Sequence, residues 1–170
     1  MNPPQYILQP VRPWFIVVSL VVSLFLNMMP WGRLPGVPDF LALTLLYWNI
    51  RAPRRVGIGS AFLLGILMDV NDAGLVGEHA LAYTVMSYTA IILHRRILAY
   101  PLWSQTIYIL PLLLGVELLP FIARWVVTGD LPAWGYLSNG LVGALIWPIV
   151  SILLIAPQKR AVDPDDTRPI

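Results

Sequence analysis

Six apolar stretches, cut apart by clusters of proline, glycine and charge, govern what this chain can become. They run approximately from Trp14 to Met29, Asp39 to Ile50, Val56 to Val70, His79 to Leu98, Leu102 to Val127 and Pro132 to Ala156. A hydrocarbon layer of about 30 Å is crossed by roughly 20 apolar residues of helix. Six spans with short connections therefore use nearly all of the 170 residues and leave no room for a soluble catalytic domain. The second and third stretches are short for spanning, and their flanks, Gly36 to Arg51 and Pro53 to Asn71, are expected to add the missing turns.

Composition agrees with lipid as the solvent: 58% of residues are hydrophobic and 12% charged, where soluble domains carry roughly a quarter charged. The placement of charge then tests the number of spans, because basic residues collect on the cytoplasmic side of short loops. With six spans and the N-terminus inside, Arg12, Arg51, Arg54, Arg55, Arg95, Arg96, Lys159, Arg160 and Arg168 fall inside, and only Arg33 and Arg124 outside. A re-entrant hairpin at the second and third stretches would put Arg51, Arg54 and Arg55 in the bilayer, at a cost of at least ~2.5 kcal/mol each.

The expected fold is thus an all-α integral membrane protein of about six transmembrane helices, with N-terminus and C-terminus cytoplasmic. Residues 1–13 form a cytoplasmic N-terminal segment, 14–156 a single transmembrane domain, and 157–170 a cytoplasmic tail whose charge and proline predict disorder. The first stretch is followed by Pro30, Trp31 and Gly32 instead of a small-residue cleavage site, so it reads as a retained span. Trp14, Trp31, Trp48, Trp103, Trp125 and Trp147 lie at or near span ends, where an interfacial belt would put them, Trp147 being nearer the middle of its span.

Several chemistries are excluded. The zero cysteines rule out disulfides, thiolate catalysis and cysteine metal sites. The high pI comes from a few short connections, so it does not point to nucleic acid. Gly57-Ile58-Gly59-Ser60 is not the Gly-x-Ser-Gly of a rhomboid-type protease, and Gly65-Ile66-Leu67-Met68-Asp69 is not the Gly-x-Gly-Asp of an intramembrane aspartyl protease. No lysine lies in a span. His79 and His94 fall at opposite ends of one helix and cannot share a metal, so His79 reads as a surface or packing residue. Neither a catalytic residue nor a cofactor is expected.

The third stretch is the most informative. Gly57, Ala61, Gly65 and Asp69 recur every four residues along one helix face, and small residues let another backbone come close. That stripe packs either against a helix of the same chain or against a partner's span. Beyond it Asn71, Asp72, Gly74 and Gly77 form a polar turn leading to Glu78 and His79, where Asp72 and Glu78 are placed to cap the fourth helix. Asp69 lies at the membrane boundary, where an ionisable group is a site candidate by default.

Glu117 stands well inside the fifth span, about 22 Å of helix beyond Leu102 and bracketed by Pro111 and Pro120. Arg124 lies two turns on, about 10 Å away along the axis, too far for direct contact in a regular helix. Asp39, Asp69, Glu117 and Arg124 all belong to the outer half of the membrane, and they form either one polar cluster or separate groups met by headgroups and water.

These residues resemble the MreD family of rod-shape-determining proteins. The likeness rests on Pro38-Asp39-Phe40 with Tyr47-Trp48, Arg54-Arg55-Val56-Gly57-Ile58-Gly59, Gly65 to Asp69, Gly77-Glu78-His79-Ala80-Leu81, Tyr88 and Trp147-Pro148. It covers essentially the full chain and is densest from Pro38 to Tyr88. Glu78, where family members carry an apolar residue, and the acidic loop from Val70 to Val76 depart from it. The resemblance implies a non-catalytic inner-membrane subunit of the rod-elongation complex, with MreC as direct neighbour and MreB, a SEDS-family glycan polymerase and a class B penicillin-binding protein in the same assembly. It also implies an architecture similar to the substrate-binding subunits of energy-coupling-factor transporters, which keeps open the alternative of a solute- or lipid-binding transport subunit.

Overall fold

The computed structural model describes residues 6–8, 11–31, 36–72, 75–129, 135 and 137–161. Arg33, Gly74 and the tail from residue 162, with Arg168, lie outside that set. Each of the six apolar stretches is a helix: α1 (Pro13–Met28), α2 (Phe40–Arg51), α3 (Gly57–Asp72), α4 (Glu78–Leu98), α5 (Leu102–Thr128) and α6 (Leu137–Ile155). The starts have local causes. Pro13 opens α1 at the position where a missing N–H costs nothing, and Asp39 caps α2 by accepting the Ala42 amide. Gly129, at φ +74°, closes α5 in the left-handed conformation that glycine tolerates.

The short second stretch gains no turns from its N-terminal flank. Residues 37–39 are not helical, so α2 has 12 residues, about 18 Å of rise. Its length is explained by its place: every residue from Leu41 to Ile50 is buried, with α1, α4, α5 and α6 packed around it. The third stretch does extend forward, to Asp72, but not back to Pro53.

Close packing uses small residues at three points. A Cβ placed on Gly65 would lie 2.4 Å from the Ala80 Cα, so α3 and α4 meet backbone to backbone there. Gly140 seats α6 against the Leu113 backbone of α5, and Gly143 against the Leu113 side chain. Buried polar bonds cross between helices as well: Trp48 Nε1 donates to Ser19 Oγ at 2.8 Å, and Asn49 Nδ2 to Ser87 Oγ at 2.9 Å. Trp48 and Trp147 are therefore core residues and not part of an interfacial belt, whereas Trp14, Trp31, Trp103 and Trp125 are exposed.

The outward surface is apolar on every helix but α2: Val17 and Phe25 of α1, Leu63 and Leu67 of α3, Ile92 of α4, Ile107 and Val126 of α5, Leu145 and Leu153 of α6. Two helical segments, Leu102–Thr128 and Leu137–Gln158, are long and apolar enough to cross a membrane by themselves.

The two flanking segments meet. β1 (Tyr6–Leu8) pairs antiparallel with β2 (Lys159–Ala161), Tyr6 opposite Ala161 and Leu8 opposite Lys159. The chain leaves the bundle at the end where it entered. A 3-10 turn at Ala156–Gln158 leads into β2, so the segment expected to be a disordered tail from 157 begins with paired backbone. At this same end an Arg55 guanidinium nitrogen donates to the Val11 carbonyl, joining the α2–α3 connection to the lead-in of α1.

Candidate functional site

The alternating directions of the helices sort the charges by end. Arg12, Arg51, Arg54, Arg55, Arg95 and Arg96 lie at the end with the paired strands, and Asp39, Asp69, Asp72, Glu78 and Glu117 lie at or toward the other. Polar groups from α2, α3 and α5 converge on the first two turns of α4.

Asp69 arrives from the last full turn of α3 and is 2% exposed. Its two oxygens accept the backbone amides of Gly77 at 2.8 Å, His79 at 2.8 Å and Ala80 at 3.3 Å. Those N–H groups open α4 and have no partner within the helix, and the helix dipole favours a negative charge beside them. Gly77, at φ +109°, occupies the cap position without a side chain to offer, and Asp69 supplies the missing acceptor from across the helix pair. The capping role expected of Asp72 and Glu78 thus falls to Asp69. Asp72 is solvent-facing, and Glu78 is turned to another partner.

His79 joins this assembly. Its Nδ1 stands 3.0 Å from Asp69 Oδ1 and its Nε2 3.7 Å from Asp72 Oδ2, with its ring edge-on to Tyr83 at 5.9 Å. Tyr83 donates its hydroxyl to Asp39 Oδ2 at 2.6 Å. Asp39 also accepts Asn27 Nδ2 at 2.6 Å, and Asn27 Oδ1 accepts the Phe40 amide at 2.9 Å. One carboxylate therefore ties together the end of α1, the start of α2 and the second turn of α4.

Glu78 and Arg124 make the third group, with Arg124 Nε 2.7 Å from Glu78 Oε2. The Glu78 side chain is 3% exposed and that of Arg124 37%. The second oxygen, Oε1, is buried without a hydrogen-bond partner. Arg124 thus reaches α4 and not Glu117. Glu117 is half-buried on α5, within electrostatic reach of Asp39 and Tyr83, and makes no hydrogen bond or ion pair among the described residues.

Asp39, Asp69, Glu117 and Arg124 lie toward one end, but Asp69, Asp39 and Arg124 belong to three separate groups around α4, and Glu117 belongs to none of them. The small-residue stripe divides similarly. Ala61 is buried and Gly65 packs on α4, whereas Gly57, at φ +61°, has nothing near its missing side chain and serves the turn that starts α3. Tyr83 and Asn27 were not singled out from the sequence. An amide in the last turn of an otherwise apolar helix, and a tyrosine one turn beyond His79, were the available signals.

Among the described residues no three His, Asp or Glu side chains are placed to hold a metal ion. The arrangement binds helices to one another and offers one carboxylate, Glu117, that no other described residue engages by hydrogen bond.

A family model described as rod shape-determining protein MreD matches residues 9–156. Among curated proteins, the chain is similar to the rod shape-determining protein MreD of Haemophilus influenzae (strain ATCC 51907 / DSM 11121 / KW20 / Rd). The two are 29% identical over 150 residues, which cover 86% of this chain and 93% of that protein. No solved structure matches.

Proposed function

The chain belongs to the MreD family of rod shape-determining proteins, which supports a role in determining rod shape, and we propose that it fills that role as a non-catalytic scaffold of the bacterial inner membrane. In this reading all six helices cross the bilayer, both ends are cytoplasmic, and the acidic end faces outward. The protein holds MreC directly, and through it MreB, the glycan polymerase and the transpeptidase of lateral peptidoglycan synthesis.

The observation that carries this reading is Glu117. A carboxylate at membrane depth is costly unless paired or wetted, and among the described residues the neighbouring acids are engaged while this one is not. A donor from a partner's span or juxtamembrane segment would complete it. Pro111 and Pro120 bracket the position, and Leu118 and Ile122 continue the exposed apolar face beside it, as a helix-docking surface requires.

The test is Glu117→Leu in full-length protein, assayed by co-purification with MreC and by restoration of rod shape in depleted cells. We expect capture and shape to fail while the melting temperature holds. A variant that restores shape and retains MreC removes Glu117 from the interface. The transport-subunit alternative draws on the same carboxylate: a small cationic solute that raises the melting temperature of the wild type, but not of Glu117→Leu, would favour it.

A further inference from the structure

Opposite the acidic end, the seam between α2 and α6 holds polar groups that the scaffold reading does not use. The two helices run in the same direction, and the Tyr47 and Trp147 rings face each other at 6.3 Å. One turn nearer the basic end on each helix stand Arg51 and Ser151, on the same faces as Tyr47 and Trp147. The Arg51 guanidinium lies over the Tyr47 ring, 5.9 Å from its centre. Gln158 follows in the turn after α6, its amide beside the Tyr47 hydroxyl but donating to the Leu154 carbonyl at 2.9 Å.

Two features mark this seam as incomplete. The Tyr47 hydroxyl and Ser151 Oγ are both buried, in residues 1% exposed, and among the described residues neither makes a well-formed hydrogen bond. Buried hydroxyls are ordinarily paired. Among the described residues Arg51 in turn meets no carboxylate, because every described Asp and Glu lies at or toward the other end of the bundle. Arg51 and Gln158, both beside Tyr47, are half-exposed.

We propose that this seam binds the phosphate of an anionic phospholipid headgroup. Arg51 supplies the charge and a planar fork of donors suited to phosphate. Tyr47, Ser151 and Gln158 supply neutral donors once the Gln158 amide turns from Leu154. The lipid is the occupant because the seam ends where the exposed apolar face of α6, at Ile149, Ile152 and Leu153, gives way to Arg54 and Arg55, which is headgroup depth for a helix bundle in a membrane. The inference needs the basic end to lie at a membrane interface but not the scaffold role or its partners.

The experiment compares melting temperatures of the full-length protein in detergent with added phosphatidylglycerol, phosphatidylcholine or inorganic phosphate. Phosphatidylglycerol is expected to stabilise the wild type above the other two. Arg51→Gln should weaken its apparent affinity about tenfold, the loss of one charge-assisted contact, and Arg54→Gln should leave it near the wild-type value. Tyr47→Phe combined with Ser151→Ala removes only hydroxyls, so it tests the seam even if Arg51→Gln fails to fold; it too should lower the phosphatidylglycerol increment. Equal effects of Arg51→Gln and Arg54→Gln, an unchanged increment in the hydroxyl variant, or no preference over phosphatidylcholine would overturn the proposal. Equal stabilisation by inorganic phosphate would overturn the lipid as its source.

Discussion

The Asp69 carboxylate holds His79 twice, accepting its backbone amide at 2.8 Å and standing 3.0 Å from its Nδ1. Through that pair the end of α3 is fastened to the beginning of α4, ten residues later in the chain. Asp69→Ala would leave the amides of Gly77, His79 and Ala80 without their acceptor in a buried place. We expect a loss of about 2–4 kcal/mol, several orphaned donors together. Asp69→Asn keeps one acceptor oxygen and should fall between. Thermal unfolding of the purified protein in detergent measures both.

Gly65 is the tightest point of the same helix pair. Gly65→Ala must push α3 away from Ala80, because its new Cβ meets backbone and not a flexible side chain; overpacking of this kind costs about 1–3 kcal/mol. Gly59, two residues before Ala61 on the same helix, has nothing within 4 Å of its missing Cβ. Gly59→Ala should be neutral or slightly stabilising in the same assay.

Breaking the Glu78–Arg124 pair from either side should cost more than removing it whole. Arg124→Leu leaves a buried carboxylate with neither oxygen engaged, worth about 2–4 kcal/mol for a pair half open to solvent. Glu78→Leu together with Arg124→Leu replaces both with apolar groups and should recover part of that loss. A double-mutant cycle in melting temperature reads the difference, and additivity of the two single changes would contradict the pairing.

Tyr83→Phe deletes one hydroxyl and nothing else. Asp39 would lose its 2.6 Å donor from α4 while keeping Asn27 and the Ala42 amide. A destabilisation of about 1–2 kcal/mol is expected for a bond to a charged acceptor. Asn27→Ala should add to it less than independently, since both act on one carboxylate.

The six helices were legible as apolar runs, and the opposition of arginines to carboxylates was legible as a pattern of short connections. The burial of α2 was not. In lipid the residues that face neighbouring helices and those that face hydrocarbon are equally apolar, so periodicity says little about which side is inside. Trp48 shows the difficulty: near a helix end by sequence, it is a core residue by packing. Asp39 and Asp69 were recognisable as polar groups out of place, but their partners lie at Tyr83 and Gly77 to Ala80, and only the turn between α3 and α4 and the crossing of α2 with α4 bring them there. Glu78 read as a departure from the family pattern, and its partner, Arg124, is 46 residues away.

The pairing of Tyr6 with Ala161 makes the path of the backbone almost a ring. Opposed residues in such a ribbon lie about 5 Å apart, so a linker of a few residues could close the circle. New ends could then be opened between α2 and α3, where Arg54 and Arg55 are exposed at the same face of the bundle. Order along the gene would be separated from order in space, and a permuted chain that still assembles would show that no terminal helix must enter first.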